Sequence, residues 1–96
     1  MQSARFFPRS HMFVCANRRD GSPLGPGCSH FGDEVFATLK RRASSEGRVR
    51  DVWVTQTQCM GICPKIGTVV RIVSERGTTL IEEVVAEDVE TLWEAV

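Results

Sequence analysis

Cys59 and Cys63 flank three residues in Gln58-Cys59-Met60-Gly61-Ile62-Cys63-Pro64, and a loop that tight around a glycine aims both sulfurs at one point. The 96-residue chain has two further cysteines, Cys15 and Cys28, and none is left over. Four thiolates converging on one place have three chemical readings: an iron–sulfur cluster, a structural zinc, or a pair of disulfides. The rest of the chain must be a scaffold that delivers Cys15 and Cys28 to the Cys59–Cys63 loop.

A chain of this length has material for one hydrophobic core. Its 42% hydrophobic and 25% charged residues are ordinary for a folded soluble domain. No apolar run approaches the roughly 20 residues of a membrane helix, and Met1 to Ser10 carries charges and a proline where a signal peptide would be apolar. The expected setting is the cytoplasm, where cysteines stay reduced and four of them hold a metal more readily than they staple a fold. The formal charge of zero conceals a split: residues 1–50 carry nine Lys or Arg against four acids, and residues 51–96 carry three against eight. Such a dipole can orient a docking partner. The basic residues are not interleaved with aromatics, which argues against nucleic acid.

The elements that position the cysteines follow from periodicity. Residues 1–9 have none and read as a loosely ordered tail before a domain over 10–96. His11-Met12-Phe13-Val14-Cys15 is a short apolar run that suits a buried central strand ending at a functional residue. Ala16 to Gly27 contains three glycines and two prolines and reads as a long loop that lends backbone amides to an inorganic centre. A helix follows Cys28, with Ser29 as its N-cap, Asp33 and Glu34 in its first turn, and Gly47 as its stop. Val35, Phe36, Leu39 and Ala43 form its apolar stripe. Val52 and Val54 face the core of a second strand, parallel to the first because a helix joins them. Thr68 to Val73 and Thr78 to Glu83 form a hairpin around Ser74-Glu75-Arg76-Gly77. Val85, Val89, Leu92 and Val96 share one side of a closing helix, with Trp93 at the border of that stripe. The order β-α-β-β-β-α predicts an α/β, thioredoxin-like domain: a four-stranded mixed sheet carrying two main helices.

Zinc usually takes its thiolates from two compact Cys-x2-4-Cys turns, and only one is present here; twelve residues separate Cys15 from Cys28. A Cys-x-x-Cys dithiol is absent. A [2Fe-2S] centre, a larger object, tolerates the wider spacing. A Rieske centre needs two Cys-x-His elements, and only Cys28-Ser29-His30 has that form, so His30 reads as a helix-start residue or hydrogen-bond donor. Four-cysteine centres of the plant type lie near about −400 mV, so a low potential is expected.

Phe13-Val14-Cys15-Ala16-Asn17, the step to Cys28, and Cys59-Met60-Gly61-Ile62-Cys63 followed by Thr68-Val69-Val70 resemble the thioredoxin-like [2Fe-2S] ferredoxins of Shethna and clostridial type. The resemblance runs from about His11 to Val96. It implies a homodimeric one-electron carrier that serves redox partner proteins, with one [2Fe-2S] cluster near the surface held by Cys15, Cys28, Cys59 and Cys63. Three departures bear on dimer geometry: Ile66-Gly67 stands where members often have Gly-Pro, no tyrosine occurs, and Val85 replaces a threonine before the last helix. The respiratory cluster-bearing subunits resemble the chain at the Cys-x3-Cys loop but have a shorter first spacing. No acid, base or nucleophile constellation accompanies the cysteines, so an electron-transfer protein and not an enzyme is expected. The alternatives are a cluster-bearing subunit of a larger oxidoreductase and a non-redox module with a structural zinc held by the four cysteines.

Overall fold

A computed structural model of the chain describes residues 8–17, 28–59, 61, 64 and 66–94, without the side chains of Ser29 and His30. Strand β1 (Ser10–Cys15) is followed by helix α1 (Ser29–Ser45) and by strands β2 (Val52–Thr57), β3 (Thr68–Ser74) and β4 (Gly77–Val84). A single 3-10 turn (Ala86–Asp88) leads into helix α2 (Val89–Glu94). The sheet order is β2-β1-β3-β4, with β1 parallel to β2 and antiparallel to β3, and β3 antiparallel to β4. This is the predicted mixed sheet. The expected tail falls, for residues 1–7, outside the described residues, as do Arg18 to Gly27 of the expected loop and Val96.

Alternation in the strands gives the sheet two unlike faces. Met12, Val14, Val52, Val54, Val70 and Ile72 pack against Val35, Leu39 and Ala43 of α1, all of them buried. The register puts His11 beside Trp53 and Val73, and Phe13 beside Thr55 and Arg71, on the other face. That face carries no helix among the described residues.

Two expectations for the helices are corrected. Cys28, not Ser29, is the N-cap of α1 and makes no side-chain cap bond; its carbonyl accepts the N–H groups of Phe31 (3.1 Å) and Gly32 (2.6 Å). Asp33 and Glu34 consequently fall beyond the first turn, which contains no acid. Trp93 does not border the α2 stripe but is buried within the core beside Val89 and Leu92. Its ring lies under the guanidinium carbons of Arg42 (5.7 Å) and Arg48 (5.3 Å), and its Nε1 donates to Glu46 Oε1 at 3.2 Å. Arg42 also pairs with Glu46 and Glu90, so a cation-to-ring clasp joins α2 to the end of α1. Val85 offers no side-chain cap, but the other half of a capping box is present: the Asp88 carboxylate accepts the Val85 N–H at 3.0 Å.

The β3–β4 pair contains a bulge. Thr68 opposes Val84 but Val70 opposes Ile81, so β4 carries one extra residue there, and Glu83 takes a φ of +60°. Gly67 (φ +82°) sits against the bulge, where a Cβ would lie 2.6 Å from the Glu83 carbonyl carbon. Only glycine fits that corner, and the corner sets where β3 begins.

Replacing Trp93 by alanine removes a buried ring and leaves a cavity, so denaturant unfolding should show a loss of about 3–5 kcal/mol. The Arg42 guanidinium, and after it the Trp93 N–H, hold the Glu46 carboxyl below its usual 4.5. A lowered folded-state pKa contributes stability above the usual value, and that contribution disappears as pH falls through the lowered one. Melting temperatures of Glu46→Gln and the parent chain should therefore differ most near neutral pH and converge as the solution is acidified below 4.5.

Candidate metal centre

Cys15 ends β1, and Cys28 starts α1. Both are buried, and together with Val69 of β3 they form a small apolar cluster apart from the main core. Their side chains pack together in that cluster. The end of β1 and the start of α1 thus bring the first two cysteines together. Cys28 also caps the start of a 17-residue helix.

The third cysteine follows β2. Cys59 is exposed, and the Gly61 N–H donates to its sulfur at 3.3 Å. Gly61 has a φ of +95°, the backbone state that turns this amide toward the sulfur. Cys59 is close enough to Cys15 to act on its ionisation. Cys63, the fourth expected ligand, lies outside the described residues, as do Met60 and Ile62. None of Cys15, Cys28 and Cys59 is in a disulfide. Among the described residues, no three His, Cys, Asp or Glu side chains converge tightly enough to hold a single metal ion.

Burial pushes the Cys15 thiol up to about 11 from its usual 9.0. The Asn17 backbone N–H on its sulfur works against that rise, while the contact with Cys28 and the charges of Cys28 and Cys59 add to it. Negative sulfurs gathered without a cation resist ionising together; a bound cation inverts this balance and takes the sulfurs as thiolates. The donor set therefore suits a thiolate-ligated centre. The sequence anticipated amides from the 16–27 loop, and Asn17 supplies one; Gly61 adds another at Cys59.

Two residues near the sulfurs went unread. Thr68, fully buried, donates its hydroxyl to the Cys15 carbonyl oxygen at 2.6 Å. Gly32 of α1 packs so closely that a Cβ there would lie 2.0 Å from the same oxygen. A glycine in the fourth position of a helix was the available signal, since it costs about 1 kcal/mol against alanine unless something needs the space. Farther out, Gln56 Nε2 donates to Asp33 Oδ1 at 3.1 Å, tying α1 to β2 at the same end of the sheet.

These environments predict unequal reactivity in the metal-free, reduced chain. With its thiol raised to about 11, Cys15 is far less ionised near pH 8 than an ordinary cysteine. Iodoacetamide followed by site-resolved mass spectrometry should find Cys59 modified early and Cys15 last.

No protein-family profile matches the chain, and no curated protein matches it. Solved structures do. The wild-type thioredoxin-like [2Fe-2S] ferredoxin from Aquifex aeolicus superposes with a TM-score of 0.76 at 28% identity, over 92% of this chain and 84% of that one. A second structure of such a ferredoxin from that organism gives 0.74 at 27% identity, over 92% and 79%. A cysteine-to-serine variant gives 0.75 at 27%, over 88% and 83%. The chain is similar to these ferredoxins over nearly its whole length, and its fold is thioredoxin-like.

Proposed function

We propose that the chain is a one-electron carrier, a ferredoxin that binds a single [2Fe-2S] cluster through Cys15, Cys28, Cys59 and Cys63. The observation that carries this reading is the meeting of Cys15 and Cys28 at one end of the sheet, with Cys59 within electrostatic reach. The likeness to [2Fe-2S] ferredoxins at 27–28% identity supports the cofactor. The cysteine spacing supports the Shethna and clostridial type. When bound, such a cluster takes up one electron and returns it.

The chain's own residues do the rest. Amides of Asn17 and Gly61 donate to sulfur and offset negative charge. Val69 keeps water from the inner pair, Cys15 and Cys28. The exposed side at Cys59 is where redox partner proteins, donor and acceptor, would approach. Among the described residues no helix is long and apolar enough to cross a membrane. A reducing compartment, the cytoplasm, suits four cysteines kept for metal.

The reading extends to a homodimer joined through the helix-free face of the sheet. Trp53, Val73 and Leu80 are partly exposed there. His11 stacks on Phe13 at 4.0 Å and shares a hydrogen bond of 2.7 Å with Thr55, and burial, with the Lys40 charge second, lowers its pKa. A neutral imidazole among apolar groups suits a face that becomes dry on pairing.

Anaerobically purified or reconstituted protein should be red-brown and contain two irons and two acid-labile sulfides per chain; colourless protein with one zinc would refute the carrier. Cys59→Ala and Cys63→Ala should each abolish stable cluster assembly, and a normal visible spectrum in either would remove that ligand. Light scattering should give twice the 10.7 kDa of one chain, and Val73→Glu should halve that mass without loss of the cluster.

A further inference from the structure

The Cys15 carbonyl oxygen is held from two sides. From β3 the buried Thr68 hydroxyl reaches it at 2.6 Å, and from α1 the bare Gly32 backbone packs against it, leaving no room for a Cβ. Neither residue serves the element that carries it. A hydroxyl in a fully buried strand position is costly unless bonded, and valine would suit β3 at least as well. Glycine is the poorest ordinary residue for a helix interior. Two locally unfavourable choices, 36 positions apart, converge on one atom of one cysteine. The next peptide is fixed too, since the Ala16 N–H donates to the Thr57 carbonyl at 2.9 Å.

We propose that Thr68 and Gly32 are positioning residues for Cys15: they fix the peptide from which its sulfur hangs. The proposal rests on the reading of Cys15 as a cluster ligand for its purpose, while the fixing itself belongs to the chain and is measurable without metal. Thr68 acts through its hydroxyl, so serine substitutes for it and valine, nearly equal in shape, does not. Gly32 acts through its missing side chain, so alanine is too large despite being the better helix former.

The test compares Thr68→Val, Thr68→Ser and Gly32→Ala with the parent chain in two states. In the metal-free reduced chain, alkylation of Cys15 by iodoacetamide should be roughly tenfold faster in Thr68→Val, as for the loss of one buried hydrogen bond, and near the parent rate in Thr68→Ser. In the loaded protein, the visible circular dichroism of the sulfur-to-iron bands should change in Thr68→Val and be restored in Thr68→Ser. Gly32→Ala should melt lower than the parent and expose Cys15, whereas helix preference alone would make it melt higher. Equal Cys15 alkylation in Thr68→Val and the parent, or a Thr68→Ser chain that behaves as the valine variant does, would overturn the role of Thr68. A Gly32→Ala chain that melts higher with Cys15 still protected would overturn the role of Gly32. If no variant, nor the parent, holds iron, the carrier reading fails while the alkylation rates still decide the positioning.

Discussion

Helix α1 meets the end of β1 at Gly32 with no space for a side chain between them, and this closeness determines where the sulfurs lie. A parallel β-α-β unit brings the start of its helix back to the end of its first strand, because the crossover must pack on the sheet. With Cys15 as the last residue of β1 and Cys28 as the cap of α1, that topology alone makes the two cysteines neighbours. The Gly32 contact turns neighbourhood into van der Waals contact. The sheet and the helix hold the pair together.

Gathering thiols this way opposes their ionisation, and the chain supplies only partial relief. Burial raises the Cys15 thiol, and Cys28 and Cys59 raise it further. Against this stands the Asn17 amide, while at Cys59 the Gly61 amide donates to the sulfur. Such donors weaken the penalty and do not remove it, so the arrangement is stable with protonated sulfurs or with cations among them. The cation that restores balance would at the same time become the group whose charge the amides tune.

The sheet order, the parallel β1–β2 pair, the hairpin and the α1 stripe were legible because alternation and helical spacing encode burial directly. The misreadings have local physical causes. Ser29 has the better capping side chain, yet Cys28 takes the cap because its backbone is where the helix must begin to reach Cys15. Trp93 sits one position from Leu92 and looks like an edge residue on a helical wheel, but Arg42 and Arg48 over its ring and Glu46 at its nitrogen let it enter the core with its polar atom satisfied. The Thr68–Cys15 bond spans 53 positions, and nothing in a local window reports a contact of that range. The Glu83 bulge was equally silent, because glutamate does not advertise a positive φ.

The two ends of the sheet strands differ in a way that bears on transfer of charge. At the cysteine end, Cys15 and Cys28 are anchored in ordered elements and shielded by Val69, while Cys59 stands on the outside with its sulfur bonded to the Gly61 amide. On the proposed reading, the inner sulfurs fix the position of the bound group and the outer side presents it. Burying all four would insulate the group from any partner, and exposing all four would leave reduction to be stabilised by water in place of oriented amides. On that same reading, a buried inner pair and an accessible outer cysteine serve electron transfer, and the bare backbone of Gly32 is where the fold brings the inner pair's elements close.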